Sequence, residues 1–225
     1  MLPQSGGILF VYAFRHVIRF ARTFGWCAFF WLVIKIATTR IIPMHINKGK
    51  TIMQCLKARI DYAQSPEKSD DGRLISAYAC TPETADQEFM LARNAYMLNT
   101  GKRIQGEVIA YQFRQSFKPG EVTPEEANQI GYELASKFLR NDHAFIVATH
   151  QNTSCVHNHI IVCSTALDCR HKFKNFKNSA QALADLSDQI CREHGLSVVT
   201  QKHNIGVSYD KWQGRNVKPT QKEKL

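Results

Sequence analysis

No aspartate or glutamate precedes Asp61 in this chain of 225 residues. Over the whole sequence Lys and Arg outnumber Asp and Glu by 29 to 19, for a formal net charge of +10. A chain this basic points to a polyanion or an anionic membrane surface as partner. The bland alternative is a basic surface that meets neither. Long apolar runs are missing too. The uncharged stretch FGWCAFFWLVI, Phe24–Ile34, has eleven residues, against the roughly 20 needed to cross a bilayer. CxxC pairs are absent, and the 7 cysteines are an odd number. That argues against both a secreted disulfide framework and a zinc ribbon, and reads as reduced cytosolic thiols used in packing. No glycine-rich phosphate loop follows any predicted strand, which argues against a doubly wound nucleotide-binding sheet. Repeats and low-complexity tracts are absent as well.

The first 37 residues differ from the rest. Arg15, Arg19 and Arg22 fall on one helical face beside the apolar stretch. Weak signal anchor, interfacial helix and upstream extension are the competing readings for residues 8–36. A small-x-small cleavage site is not evident. The extension is favoured. A working domain over 38–200 and a basic tail over 201–225 complete the expected organisation, in a cytoplasmic protein. The uncapped end at Lys-Glu-Lys-Leu225 reads as the front of a longer protein.

Periodicity predicts strands over 39–46, 74–80, 107–117, 144–150, 156–164 and 196–200. Helices are predicted over 51–63, 81–97, 123–138 and 179–194. Thr123-Pro-Glu-Glu126 is a strong helix start, with a capping Thr, Pro in the first turn and two acids beside it. The polar stretch SPEKSDDG, 65–72, reads as a loop. This order predicts an α+β fold with a mainly antiparallel sheet flanked by helices.

The densest chemical signal is THQNTSCVHNHIIVC, Thr149–Cys163. Alternate residues of a strand share a face, so His157 and His159 point one way and Asn158 the other. A short loop returns the chain from the preceding strand and brings His150 beside them. Burying three imidazoles together is costly unless something accepts their lone pairs. A divalent ion does so, and three histidines with open positions is the pattern of a catalytic metal site. The competing accounts are one accidental ligand with solvated neighbours, a structural site completed by Cys155, and an HNH-type nuclease suggested by the letters alone.

Several stretches together resemble the N-terminal domain of MobA-like, histidine-triad mobilisation relaxases of plasmids and integrative elements. They are TRIIPMHINKGKT (39–51), KARIDYAQSPEKSDDG (57–72), VIAYQFRQSFKPGEVTPEEANQIGYELASKF (108–138), HAFIVATHQNTSCVHNHIIVCSTALDC (143–169) and LSDQICREHGLSVV (186–199). The resemblance implies the HUH endonuclease fold and a metal-dependent endonuclease that nicks one DNA strand at an origin of transfer. It places the metal ligands on His150, His157 and His159 and the nucleophile on Tyr62, which would join to the 5′ end. Mg or Mn is the implied ion. Single-stranded DNA, accessory mobilisation proteins and a type IV coupling protein are the implied partners. Tyr78, Tyr96, Tyr111 and Tyr132 are rival tyrosines. The loop after His150 reads Gln151-Asn152 where many relatives carry an acid, which bears on ligand orientation. Glu107 and Asp61 are weak candidates for a general base. The alternative functions are a catalytically silent DNA-binding remnant of a relaxase and a protein associated with a membrane through its N-terminal segment.

The basic residues expected to hold DNA fall in three groups. Lys48, Lys50, Lys57, Arg59 and Lys68 flank Tyr62, and Arg114 and Lys118 flank a strand end. Arg170, Lys172, Lys174 and Lys177 alternate with Phe173 and Phe176, a pattern suited to single-stranded DNA. Core packing of the two phenylalanines is the competing reading.

Overall fold

The computed structural model describes residues 38–102, 108–153 and 155–198. The apolar segment 8–36, Glu107 and the tail 201–225 lie outside the described residues. No described helix is long and apolar enough to cross a membrane.

Five strands form one sheet: β1 (Thr38–His45), β2 (Ile75–Tyr78), β3 (Val108–Ser116), β4 (His143–His150) and β5 (His157–Ala166). Their order is β1-β3-β5-β4-β2, and every pairing is antiparallel. β5 is central, and all of it but His157 is buried. The helices are α1 (Ile52–Ala63), a single turn α2 (Pro66–Ser69), α3 (Ala85–Thr100), α4 (Pro124–Leu139) and α5 (Ser179–Glu193). The α+β antiparallel architecture matches the sequence expectation.

Both sheet faces are covered, which explains why β4 reads as a continuous buried run rather than an alternating one. On one face Phe113, Phe145, Val147, Ile160 and Val162 pack against Ile130 and Leu134 of α4 and Leu183 and Ile190 of α5. On the other, Ala110, Ile146, Ala148 and Ile161 pack against Leu56 and Ile60 of α1 and Phe89 of α3. Three departures from the sequence expectation stand out. The loop 65–72 contains α2, started by Pro66. A 3₁₀ turn, Pro82–Thr84, precedes α3, which begins at Ala85 rather than Thr81. Of the expected last strand, residues 196–198 form no strand of the sheet, only an isolated bridge at Val198.

Candidate metal and nucleophile site

α1 positions the tyrosine. Thr51 caps it reciprocally with Gln54: the Gln54 N–H donates to Thr51 Oγ1 (3.2 Å) and the Thr51 N–H to Gln54 Oε1 (2.9 Å). Cys55, Leu56, Ile60 and Ala63 are buried, so the helix is clamped to the sheet while Tyr62 is left 57% exposed at its end.

The histidines are set by strand register. His150 lies directly opposite His157, and His159 lies opposite Ala148 on one side and Arg114 on the other. The three rings meet with centroids 4.3, 5.1 and 5.2 Å apart. One nitrogen from each lies within 4.8 Å of one from each of the others. No other such cluster of His, Cys, Asp or Glu occurs among the described residues. Cys155 is therefore not part of the group.

Each ring has a partner on one nitrogen, and for His150 and His157 that partner is a carbonyl, which fixes the proton. His150 Nε2 meets the Ala63 carbonyl at 2.7 Å, one of the carbonyls a helix end leaves unpaired. A proton there leaves Nδ1 with its lone pair. His157 Nδ1 meets the Cys155 carbonyl at 3.1 Å, which leaves Nε2. His159 Nδ1 meets the side-chain amide of Gln112. Gln112 was not foreseen from the sequence. It lies on β3, and only register shows that it shares a face with the histidines. Burial, reinforced by the neighbouring histidines, Arg114 and Lys68, pushes His159 down to about 3. Burial likewise lowers His150, against the pull of its bond to Ala63. Both are neutral at pH 7, the form in which imidazole ligates metal.

Behind the triad, on the opposite face, Asn158 is buried and fully engaged. It accepts from Thr149 Oγ1 (2.7 Å) and donates to Gln115 Oε1 (3.0 Å) and the Ala127 carbonyl (2.6 Å). Gln115 in turn donates to Ser187 Oγ of α5 (2.9 Å). This network ties the residue between two triad histidines to α4 and α5. Gly131 allows it: a Cβ there would come within 2.9 Å of Val147 Cγ1 and clash with the Asn158 amide.

Tyr62 stands over the triad, its ring centroid 5.9 Å from His159 and 6.1 Å from His150. Lys68 Nζ lies 3.8 Å from the Tyr62 ring centre. The Lys68 carbonyl accepts from the Gln151 N–H (3.3 Å), which links α2 to the loop between β4 and β5. The rival tyrosines lie elsewhere. Tyr96 and Tyr111 are buried, and Tyr78 and Tyr132 pack on Phe145. Asp61 pairs with Lys57 (3.1 Å).

The expected basic residues divide between two ends of the sheet. Lys68 and Arg114 are at the triad end. So is Lys118, just beyond Phe117, whose N–H donates to the Val156 carbonyl. Arg59 precedes Tyr62 by three residues on α1, so the two share a helix face. Lys48 and Lys50 follow His45, which pairs with Val108 at the far end of β3. Lys172 pairs with Thr165, eight residues up β5 from His157 and so about 27 Å away at 3.4 Å per residue; Arg170 and Lys174 flank it. The structure does not bring these five to the triad. Phe173 is half-buried against Tyr111, Phe113 and Phe138, while Phe176 is exposed.

Residues 62–196 match the family model described as relaxase, MobA/VirD2-like, nuclease domain. The chain belongs to this relaxase family. It is 40% identical over 130 residues to the Rlx protein of Staphylococcus aureus, covering 58% of this chain and 37% of that one. It is 26% identical over 194 residues to the group II intron-interrupted relaxase LtrB of Lactococcus lactis, covering 71% of this chain and 34% of that one. The chain thus spans less than half the length of the curated relatives it matches. A solved structure described as the molecular basis of vancomycin resistance transfer in Staphylococcus aureus aligns over 72% of this chain, at 14% identity and a TM-score of 0.42. The family match begins at Tyr62 and includes all three histidines.

Proposed function

We propose that this relaxase-family domain nicks one DNA strand at an origin of transfer, with Tyr62 as nucleophile and His150, His157 and His159 as metal ligands. The observation that carries the reading is the placement of one exposed tyrosine over three converging histidines. The donor set fits a divalent ion: His150 and His157 each keep one nitrogen free while a carbonyl of Ala63 or Cys155 holds the other, and His159 does the same with the Gln112 amide turned so that its oxygen accepts from Nδ1–H. When bound, Mg or Mn would draw charge from a non-bridging phosphate oxygen. Residues 38–200 constitute the working domain in this reading.

The Tyr62 oxygen attacks the phosphorus as the bond to the 3′ oxygen breaks. The tyrosine proton is lost, and the departing 3′ oxygen takes one up. The 5′ phosphate remains on Tyr62. Because one phosphodiester replaces another, the reverse attack by the 3′ hydroxyl reseals the strand without ATP. Lys68 supplies positive charge beside the reacting tyrosine, and such transfer depends mainly on position and charge. Accessory mobilisation proteins and a type IV coupling protein belong to the same proposal.

The test uses the 225-residue chain, Mn²⁺ and 3′-labelled single strands tiling the DNA that flanks its own coding region. A labelled protein band on a denaturing gel, lost with EDTA, is expected. DNA binding without any such band would replace the nicking reading with that of a silent DNA-binding remnant.

A further inference from the structure

Arg40 and Arg114 lie directly opposite each other on β1 and β3, and Arg114 lies directly opposite His159 on β5. All three therefore stand in one row across the histidine face of the sheet. Both arginines are exposed, and neither has an ion-pair partner among the described residues. Like charges directly opposite on neighbouring strands repel, so nothing internal to the fold rewards this pairing. The row continues on the other side of the triad with Lys68 over Tyr62. Among the described residues no carboxylate belongs to the histidine cluster, and a bound phosphate would supply the negative charge that the row lacks. Two guanidinium groups side by side, beside a site for one phosphate, match a second phosphate of the same strand.

We propose that Arg40 and Arg114 form a seat for a backbone phosphate next to the scissile one, so that single-stranded DNA crosses the sheet from α2 over the triad to the β1 edge. This rests on the nucleic-acid reading above and adds to it a direction and a residue, Arg40.

The test is binding of a dye-labelled single-stranded dT oligonucleotide to the 225-residue chain in EDTA, followed by anisotropy across a salt series. Each phosphate contact on a single strand contributes about 0.7 to the slope of log affinity against log salt. Because the pair holds one phosphate, R40Q/R114Q should lower the slope by about 0.7 and weaken binding about fivefold at 0.1 M salt, and R40Q and R114Q should each lose part of that. R40K/R114K should keep the wild-type slope. Melting temperatures of the glutamine variants should not fall, since a repulsive pair is removed. An unchanged slope in R40Q/R114Q overturns the seat. So does an equal loss from R140Q/K174Q at the far end of the sheet, which would show general charge alone. Nicking by the wild type together with an unchanged slope removes the seat and spares the nuclease reading. Absence of binding by the wild type removes both.

Discussion

His143 and His150 stand seven positions apart on β4, both more than nine-tenths buried, and face opposite sides of the sheet. His143 is a single buried ring. Its Nδ1 meets the Cys163 carbonyl at 3.0 Å, and its face packs near Phe173. It borders a cavity of about 310 Å³ at the far end, lined also by Arg140, Asp168, His171 and Lys172. Asp168 there is already engaged with His171 and with two backbone N–H groups. His150 has a carbonyl partner too, yet it meets two further imidazoles and a tyrosine. One buried histidine with one carbonyl is a satisfied core residue. Three together, with one nitrogen of each within 4.8 Å of the others, make a candidate site, because one bound cation would satisfy them at once.

Breaking that contrast starts with the largest effect. Y62F should leave no covalent adduct on a denaturing gel while binding of dT stays within about twofold. Because the side chain is exposed, its melting temperature should match the wild type. An adduct that survives would move the nucleophile to another residue. Next come the histidines. H150A, H157A or H159A should weaken Mn²⁺ binding by calorimetry at least as much as the loss of an outer-shell partner does, about 10- to 100-fold. H143A should leave Mn²⁺ affinity unchanged yet lose about 1–3 kcal/mol in urea unfolding, from a lost hydrogen bond and packing. Equal effects on metal from both ends would erase the distinction.

G131A tests whether the two faces communicate. Crowding Asn158 and Val147 should cost about 1–3 kcal/mol. Metal affinity should fall with it, because Asn158 sits between two ligands. The smallest effect is in pH. His143, His150 and His159 all titrate below the ordinary histidine value in the fold, chiefly through burial. The unfolded chain therefore binds protons first. Metal-free stability should be full above about pH 6.5 and fall as pH drops toward 3. H143Q should flatten only part of that slope in urea titrations between pH 7.5 and 5.

Much of this was legible early. The cap at Thr51, the Thr123-Pro124 helix start and the alternation through 157–159 are local, and local rules place them. α2 and the late start of α3 were missed because a proline within a polar stretch can open a helical turn as readily as a loop. Gln112 and Arg40 were missed for a different reason. Each is a polar residue on a strand whose partner lies far along the chain, 47 residues in the case of Gln112 and His159. The grouping of basic residues failed in the same way. Lys48 and Lys50 precede Tyr62 by few residues, but a 12-residue helix carries Tyr62 away from them.

The sequence by itself determined most of the element types, the shared face of His157 and His159, and the tyrosine at the end of a helix that carries Lys57 and Arg59. Those follow from backbone period and end-capping, which act over a few residues. Only the tertiary structure decided that Tyr62 stands over the histidines, that Gln112 orients His159, and that Arg40 joins the row. Strand order and register made those choices, and they are fixed by how two hydrophobic faces are buried at once, a property of the whole chain.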